Sequence, residues 1–231
     1  MGATENERVV RICLPEVILE GNLAVKEGQP VVVFAHDSGS SRHSPRNRFV
    51  AHALHEAGIG TLLFDLLTEE EDMDYERRLD IGLLTVRLEK VTRWLKQQPG
   101  GLMAKIGYFG ASTGAAAALK AAADLTKDIG AVVSRGGRPD LAGDALGRVE
   151  APTLLTVGGL DDTTIQLNRE AYRMMRGIKE LKIVPGATHL LEEPGTLEEV
   201  ARLAVTWFRK YLASPSSIIP TFLKSDKNKL R

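Results

Sequence analysis

A serine between two glycines, in the sequence GASTG at residues 110–114, is the feature of this chain best suited to chemistry. An apolar, strand-like run precedes it and an alanine-rich, helix-like run follows it, which is the setting of a nucleophile elbow. So sharp a turn holds its serine at positive φ and accepts only glycine two residues to either side. The alternative is an ordinary glycine-rich turn between a strand and a helix. The flanking runs favour Ser112 as a catalytic nucleophile.

A serine hydroxyl needs a neighbouring base before it can attack a carbonyl at neutral pH. In triads built on this elbow, the acid and then the histidine follow the serine along the chain. The chain has five histidines, and only His189 comes after Ser112. It lies just after a strand-like run, 181–184, and loops at the carboxyl ends of strands are where the sites of α/β proteins gather. We therefore predict His189 as the base, the alternative being an ordinary histidine of a surface loop.

The acid that orients this histidine must lie between the two residues. Asp161 and Asp162 come directly off a strand-like run, 153–157, through a glycine turn. Asp161 leaves the strand first and is our prediction, whereas Asp162 is suited to cap the helix that follows. The alternative is that both are solvated acids of a turn. Four other candidates lie near the end of the elbow helix or in the loop after the next strand: Asp124, Asp128, Asp140 and Asp144.

The oxyanion that forms during acyl transfer needs two N–H donors. We expect one from the backbone of Thr113, beside the nucleophile, and the other from the backbone of Ser38, in the loop after the strand-like run 31–35. The arginines that follow this loop either pair with acids such as those of 69–74 or recognise an anionic group of the substrate. The candidates for substrate or loop contacts are His36, Asp37, Arg42 and Arg46.

Alternating strand-like and helix-like segments must position these residues. The alternation predicts an α/β fold with a mostly parallel central sheet, right-handed crossovers and helices on both faces. A hairpin of 9–14 and 17–25 opens the chain, Ser44 and Pro45 are the predicted N-cap and first residue of a helix, and 65–76 is an acidic surface loop. The predicted strands are 31–35, 61–64, 104–109, 129–134, 153–157 and 181–184, and the predicted helices are 45–57, 79–98, the alanine-rich run after the elbow, 163–175 and 194–212.

The short connection 135–150 leaves little room for a cap over the sheet. We expect one domain over residues 1–212 and a tail, 213–231, that is either disordered or docked on the body or a partner. The sequence shows no internal repeat.

Composition excludes several classes of function. Lysine plus arginine equals aspartate plus glutamate, so the chain lacks the basic field that would hold nucleic acid or an anionic membrane. A single cysteine, Cys13, excludes an internal disulfide and fits a reducing compartment. The polar residues 1–8 lack the apolar core of a signal peptide, and no apolar run is long enough to span a bilayer. We expect a cytoplasmic protein, either a monomer or a homodimer.

These motifs resemble the α/β-hydrolase superfamily and, within it, the dienelactone-hydrolase-like proteins, over residues 9–212. The resemblance implies an α/β-hydrolase fold with a minimal cap or none, and hydrolysis of a carboxylic ester or lactone through an acyl-enzyme. It implies Ser112 as nucleophile, Asp161 as orienting acid and His189 as base. The motifs that carry it are AHDSGSSRHSPRN at 35–47, GASTG at 110–114, GGLD at 158–161 and PGATH at 185–189.

The chain departs from this pattern at two positions. Dienelactone hydrolases use a cysteine nucleophile where this chain has Ser112, which favours general esterase chemistry over lactone specificity. Many relatives have His-Gly where this chain has His36-Asp37, and a carboxylate turned inward there would oppose the developing oxyanion. Either Asp37 points away, or the loop differs, or the activity is altered.

The resulting prediction is a small serine esterase with an open site and a small-molecule ester substrate. The chemistry calls for no cofactor and no metal ion. The alternatives are acyl transfer to an alcohol or amine with the same triad, and a binding or regulatory module that keeps the fold without the chemistry.

Overall fold

The computed structural model describes residues 7–37, 39–98 and 105–212, and these form an eight-stranded sheet in the order β1-β2-β4-β3-β5-β6-β7-β8. β1 and β2 form the predicted antiparallel hairpin, and β2 also pairs antiparallel with β4. All the remaining neighbours run parallel, as the alternation of elements predicts. The strands are β1 (Glu7–Cys13), β2 (Ile18–Ala24), β3 (Val31–Ala35), β4 (Gly60–Phe64), β5 (Ile106–Ala111), β6 (Ile129–Arg135), β7 (Thr153–Gly158) and β8 (Lys179–Val184).

Helices cover both faces of this sheet. Two of them, α1 and α7, pack on one face, and α4, α5 and α6 pack on the other together with a 3₁₀ segment, Pro139–Arg148. The fold is therefore the three-layered α/β arrangement that the sequence predicts. The helices are α1 (Pro45–Glu56), α2 (Glu69–Asp72), α3 (Tyr75–Leu79), α4 (Ile81–Lys96), α5 (Thr113–Asp124), α6 (Asp162–Met174) and α7 (Thr196–Leu212).

The central strands are buried along their whole length because helices shield both faces. Every residue of β3, β4, β5 and β7 is buried, which explains their continuous apolar composition. Phe34 and Phe109 pack on the α1 and α7 face with their ring centroids 4.9 Å apart. On the other face the alanines of α5 let that helix approach the sheet closely, since an alanine adds only a methyl group. The buried strands thus form a rigid base whose carboxyl ends share one edge.

The acidic segment 65–76, predicted as a surface loop, is more ordered than expected. It contains α2 and the start of α3, and α2 begins with a capping box in which the side chains of Thr68 and Glu71 each bond the other's backbone N–H. Glu71 also accepts two hydrogen bonds from the guanidinium of Arg87, a buried residue of α4, at 2.8 and 3.1 Å. The sequence analysis missed the pair between Glu71 and Arg87 because the two residues lie in different helices.

The starts of α4 and α1 differ in detail from the sequence prediction, α4 in its position and α1 in its capping hydrogen bond. α4 begins at Ile81 rather than 79, because the Asp80 side chain accepts the N–H of Leu83 and starts a new helix. Ser44 occupies the N-cap position before Pro45, but its hydroxyl makes no capping hydrogen bond. Gly58, with φ of +78°, ends this helix as predicted.

The predicted tail, 213–231, lies outside the described residues, so its role and the domain boundary stay predictions. Within the described part of the chain, no helix is both long and apolar enough to cross a membrane.

Candidate active site

Ser112 lies between β5 and α5 in a backbone conformation that residues other than glycine rarely adopt. Its φ is +49° and its ψ is −120°, and within residues 7–37, 39–98 and 105–212 only Leu191 shares a positive φ among residues other than glycine. Such a backbone costs about 1–3 kcal/mol and persists only where the surroundings impose it. The serine therefore has the geometry that the elbow pattern predicts.

The two flanking glycines are explained by close backbone contacts. A Cβ on Gly110 would lie 2.5 Å from Cα of Ala115, so the strand and the new helix could not turn this sharply. A Cβ on Gly114 would lie 2.1 Å from the carbonyl oxygen of Ala35 and 2.5 Å from that of His36. Gly114 thereby brings the loop after β3 directly against the start of α5.

Hydrogen bonds hold the Ser112 peptide in place on both sides. Its N–H donates to the carbonyl of Arg135 at 3.4 Å, and its own carbonyl accepts from Ala115 at 3.1 Å and from Arg138 at 3.0 Å. Thr113 is the first residue of α5, so its N–H is among the donors that a helix leaves without an intrahelical acceptor. A backbone donor is thus placed next to the serine, where the positive end of the helix dipole adds to it.

The predicted base and acid meet at the same edge of the sheet. Nδ1 of His189 lies 2.6 Å from Oδ2 of Asp161, and Oδ1 of Asp161 accepts the N–H of Thr164 at 3.1 Å. Asp161, not Asp162, is therefore both the partner of the histidine and the residue that caps α6. This corrects the capping role that the sequence suggested for Asp162.

Burial alone would raise the pKa of Asp161, but hydrogen bonds from Thr164 and His189 outweigh it and hold the pKa below its ordinary value. The carboxylate is therefore ionised at neutral pH. Because the Asp161 carboxylate that faces Nδ1 is ionised, a neutral imidazole keeps its proton on Nδ1. The Nε2 atom is then able to accept a proton from another group.

Close contacts with the ends of β6 and β7 fix the loop that carries His189. A Cβ on Gly158 would lie 2.2 Å from the carbonyl oxygen of Thr188. A Cβ on Gly136, which has φ of +49°, would lie 3.0 Å from the carbonyl oxygen of His189 and 3.8 Å from its ring. The His189 side chain, 45% exposed, thus lies beside Gly136 at the end of β6, the strand next to β5, which leads into Ser112.

His36 is largely buried, contacts the backbone of two loops and also lines the cavity described below. Its Nδ1 lies 3.0 Å from the carbonyl of Asp37 and its Nε2 accepts the N–H of Leu66 at 3.2 Å. These two contacts select the tautomer with the proton on Nδ1. Of the two roles predicted for His36, the structure shows the loop contact.

The carboxylate of Asp37 is directed at two guanidinium groups. Oδ2 lies 3.7 Å from Arg46 and Oδ1 lies 3.9 Å from Arg135, a residue that the sequence analysis did not single out. Burial lowers the pKa of Arg135 to about 10, and the neighbouring charge of Asp37 opposes that shift. Two cations therefore balance the negative charge that the sequence placed beside the oxyanion site.

The arginines after this loop do pair with acids, but not with those of 69–74. Arg42 contacts Asp65 and Glu20, and Arg46 contacts Glu192 as well as Asp37. The acids expected as partners pair with arginines of α3 and α4 instead: Glu71 with Arg77 and Arg87, and Asp72 with Arg78. The arginines are therefore paired, with acids other than the examples that the sequence suggested, and recognition of an anionic substrate group stays a prediction.

Ser38, the predicted second oxyanion donor, lies outside the described residues, and its N–H stays a prediction. Arg135, Gly136 and Glu192 are the site residues that the sequence analysis missed. The sequence contains one indication of the role of Arg135, because a charged residue stands at the end of the apolar strand β6.

A cavity of about 740 Å³ borders the loop after β3 on the side away from β5. Its other wall is the start of the segment after β4, and its lining carries more carboxylates than cations. Among the described residues, no group of three or more histidine, cysteine, aspartate or glutamate side chains is arranged to hold a metal ion. The polar residues that line the cavity include Ser40, Ser41, His43, Thr68, Glu69 and Glu70.

Solved structures similar to this chain include a dienelactone hydrolase from Anabaena variabilis. It is 53% identical with a TM-score of 0.86, and the match covers 90% of this chain and 98% of that one. The esterase Est1E from Butyrivibrio proteoclasticus is 16% identical with a TM-score of 0.74, over 87% of this chain and 98% of its own. The esterase Pf2001 from Pyrococcus furiosus is 18% identical with a TM-score of 0.69, over 90% and 93%. The two esterases show a shared fold.

Curated relatives from two strains of Mycobacterium tuberculosis carry the provisional name phosphoribosyl transferase. Each is 56% identical over 207 residues, which are 89% of this chain and 47% of the relative. The chain therefore spans about half the length of the curated relatives it matches. No protein-family model matches the chain.

Proposed function

The chain belongs to the α/β-hydrolase superfamily, among its dienelactone-hydrolase-like hydrolases, and on that premise we propose that it cleaves carboxylic esters through an acyl-enzyme on Ser112. The observation that carries the proposal is the 2.6 Å contact between His189 and Asp161, on the sheet edge where Ser112 stands at positive φ. A serine, a base and an orienting acid at one edge of the sheet support nucleophilic acyl transfer.

In this mechanism Nε2 of His189 removes the proton of the Ser112 hydroxyl as Oγ attacks the ester carbonyl. The oxyanion accepts the Thr113 N–H, and we propose Ser38 N–H as the second donor. His189 then gives its proton to the leaving alcohol, and the acyl group stays on Oγ. Water attacks this acyl-enzyme with His189 again as base, and the acid and the free serine are released. Asp161 remains ionised throughout and stabilises the imidazolium.

The natural substrate is proposed to be an ester rather than a lactone. The nucleophile of this elbow is the hydroxyl of Ser112, whereas dienelactone hydrolases use a cysteine at this position. Comparing kcat/KM for an open-chain ester and a lactone of the same acyl size tests this. A lactone preferred tenfold or more would contradict it.

The test of the main proposal is hydrolysis of short-chain p-nitrophenyl esters by wild type, Ser112→Ala and His189→Asn. We expect each variant to lose about 10³-fold or more in kcat, because serine and base act as a unit. His52→Asn, on the exposed side of α1, is the matched histidine control and keeps wild-type kcat. A fluorophosphonate should add to Ser112 in the wild type and leave Ser112→Ala unlabelled. Equal turnover by wild type and Ser112→Ala would contradict the proposal.

The binding or regulatory alternative predicts a different result. A wild-type chain that hydrolyses none of these esters and takes no phosphonate on Ser112 would support it. Acyl transfer is distinguished by the products, since added acceptor alcohols would then yield new esters in place of the free acid.

Phosphoribosyl transfer is a second candidate because of the name that the curated relatives carry. The carboxylates that line the cavity outnumber its cations and would repel the phosphates of a phosphoribosyl donor. We therefore propose that any such activity of the relatives does not reside in the half that this chain matches. Consumption of phosphoribosyl pyrophosphate by this chain with a panel of nucleobases would overturn that view.

A further inference from the structure

Four charged side chains from four segments meet beside the elbow. They alternate in sign: Arg135 at the end of β6, Asp37 after β3, Arg46 in α1 and Glu192 in the loop that carries His189. Arg135 lies 3.9 Å from Asp37, Asp37 lies 3.7 Å from Arg46, and Arg46 directly contacts Glu192. We call these four residues the charge chain.

The buried end of the charge chain adjoins the nucleophile. Arg135 is only 5% exposed, and its carbonyl accepts the Ser112 N–H. A buried cation is costly unless a counter-charge is close, and Asp37 is its nearest carboxylate. Asp37 Oδ1 has no hydrogen-bond donor among the described residues, nor have Nε and Nη1 of Arg135 an acceptor there. Charge rather than hydrogen bonding therefore orients the Asp37 carboxylate, whereas its backbone carbonyl accepts hydrogen bonds from His36 and Ser40.

The exposed end of the charge chain reaches the histidine loop. Glu192 follows His189 closely and flanks Leu191, which is fully buried with φ of +54°. A leucine in this region costs about 1–2 kcal/mol, so the loop stays in place only if contacts hold it there. Arg46 supplies one such contact from α1, a helix that packs firmly on the sheet.

We propose that Arg46 and Glu192 are positioning residues that hold His189 in register with Ser112. Arg46 lies between the carboxylates of two loops, Asp37 on the oxyanion side and Glu192 on the histidine side. Neither residue touches the reacting atoms, and both act through the loops they join. The inference rests on the proposed role of His189 as base.

The competing account is an ordinary surface ion pair, which contributes about 0–1 kcal/mol to stability and nothing to catalysis. The same helix offers a matched control. Arg48 pairs with Glu7 at 3.2 Å, and neither residue belongs to the charge chain. If Arg46 only stabilised α1, then Arg46→Gln and Arg48→Gln would behave alike.

The first experiment compares kcat, KM and melting temperature for Arg46→Gln, Glu192→Gln, Arg46→Lys and Arg48→Gln. We expect Arg46→Gln and Glu192→Gln to lose about 10- to 100-fold in kcat with KM within about twofold, because a small displacement of the base costs rate more than binding. Arg46→Lys keeps the bridging charge and recovers most of kcat. Arg48→Gln keeps wild-type kcat at a similar melting temperature. Wild-type kcat in Arg46→Gln would overturn the proposal.

The second experiment does not depend on an ester substrate. In protein with ¹⁵N-labelled histidine, the proton on Nδ1 of His189 gives a downfield resonance from its hydrogen bond to Asp161, assigned by its loss in His189→Asn. We expect Arg46→Gln to shift or broaden this resonance and Arg48→Gln to leave it unchanged. An unchanged resonance in Arg46→Gln overturns the proposal. A changed resonance in a chain whose wild type hydrolyses no ester supports the positioning role and contradicts the esterase function.

Discussion

Asp161 holds His189 through one carboxylate oxygen, at 2.6 Å from Nδ1, while its other oxygen accepts the N–H of Thr164 and caps α6. The histidine is therefore oriented by a side chain that is itself fixed at the start of a helix. Because each of its two oxygens makes a hydrogen bond, the carboxylate has little freedom to rotate. The contact is made by Asp161, the acid that the sequence analysis preferred, and not by its neighbour Asp162.

Replacing Asp161 by asparagine should lower kcat by about 10³–10⁴-fold, because the amide no longer stabilises the imidazolium or fixes the tautomer. The matched control is Asp162→Asn, which changes an exposed acid in the first turn of the same helix and should retain kcat. The measurement is ester hydrolysis at saturating substrate. A larger loss in Asp162→Asn than in Asp161→Asn would contradict the assignment of the acid.

Gly136→Ala tests the contact between the end of β6 and the loop that carries His189. Both Gly136 and Gly58 have positive φ, so alanine at either position should cost about 1–2 kcal/mol of stability. Only at Gly136 would the new Cβ also meet His189, at 3.0 Å from its carbonyl oxygen, whereas Gly58 faces open space. We expect kcat to fall in Gly136→Ala and to hold in Gly58→Ala, measured beside thermal melting of both. Equal kcat in the two variants would show that the contact with the loop does not matter.

Gly114→Ala should destabilise the fold by about 1–3 kcal/mol or more, because its Cβ would overlap two backbone oxygens of the loop after β3. Backbone cannot move aside as a flexible side chain can. Gly147→Ala is the matched control, since the nearest atom to its Cβ is 3.8 Å away. Urea unfolding gives the free energies, and similar values for both variants would argue against the close approach at the elbow.

The pair between Glu71 and Arg87 makes stability depend on pH. Burial would raise the pKa of Glu71, but hydrogen bonds from Arg87 and Thr68 outweigh it and lower the pKa. A lowered pKa means that the pair stabilises the fold above the unfolded value of about 4.3 and is lost as pH falls through the folded value.

We therefore expect Glu71→Gln to be about 1–3 kcal/mol less stable than wild type at pH 7, with the difference shrinking below about pH 4. The measurement is urea unfolding across this range. Glu76→Gln, which changes an exposed acid of the same segment, is the control and should match wild type. A difference that grows on acidification would contradict the sign derived from the pKa of Glu71.

The fold was largely predictable because hydrophobic patterning is local. Short continuous apolar runs such as β3 and β4, bounded by turn residues, are typical of strands buried on both faces, and the helix between these two strands predicts that they run parallel. In the acidic segment after β4, the pair of Thr68 and Glu71 was a local signal for the start of α2 that the prediction overlooked, whereas the contact between Glu71 and Arg87 has no local signal.

Sequence alone determined which residues can do chemistry: a serine in a turn that only glycines permit, one later histidine, and an acid pair at the end of a buried strand. These are properties of residue type, order and strand ends. The tertiary structure alone decided that Asp161 also caps α6 through its second carboxylate oxygen, and that Arg46 contacts Glu192 across 146 positions of chain. Charges attract through space and carry no sequence period, so only the folded chain selects their partners.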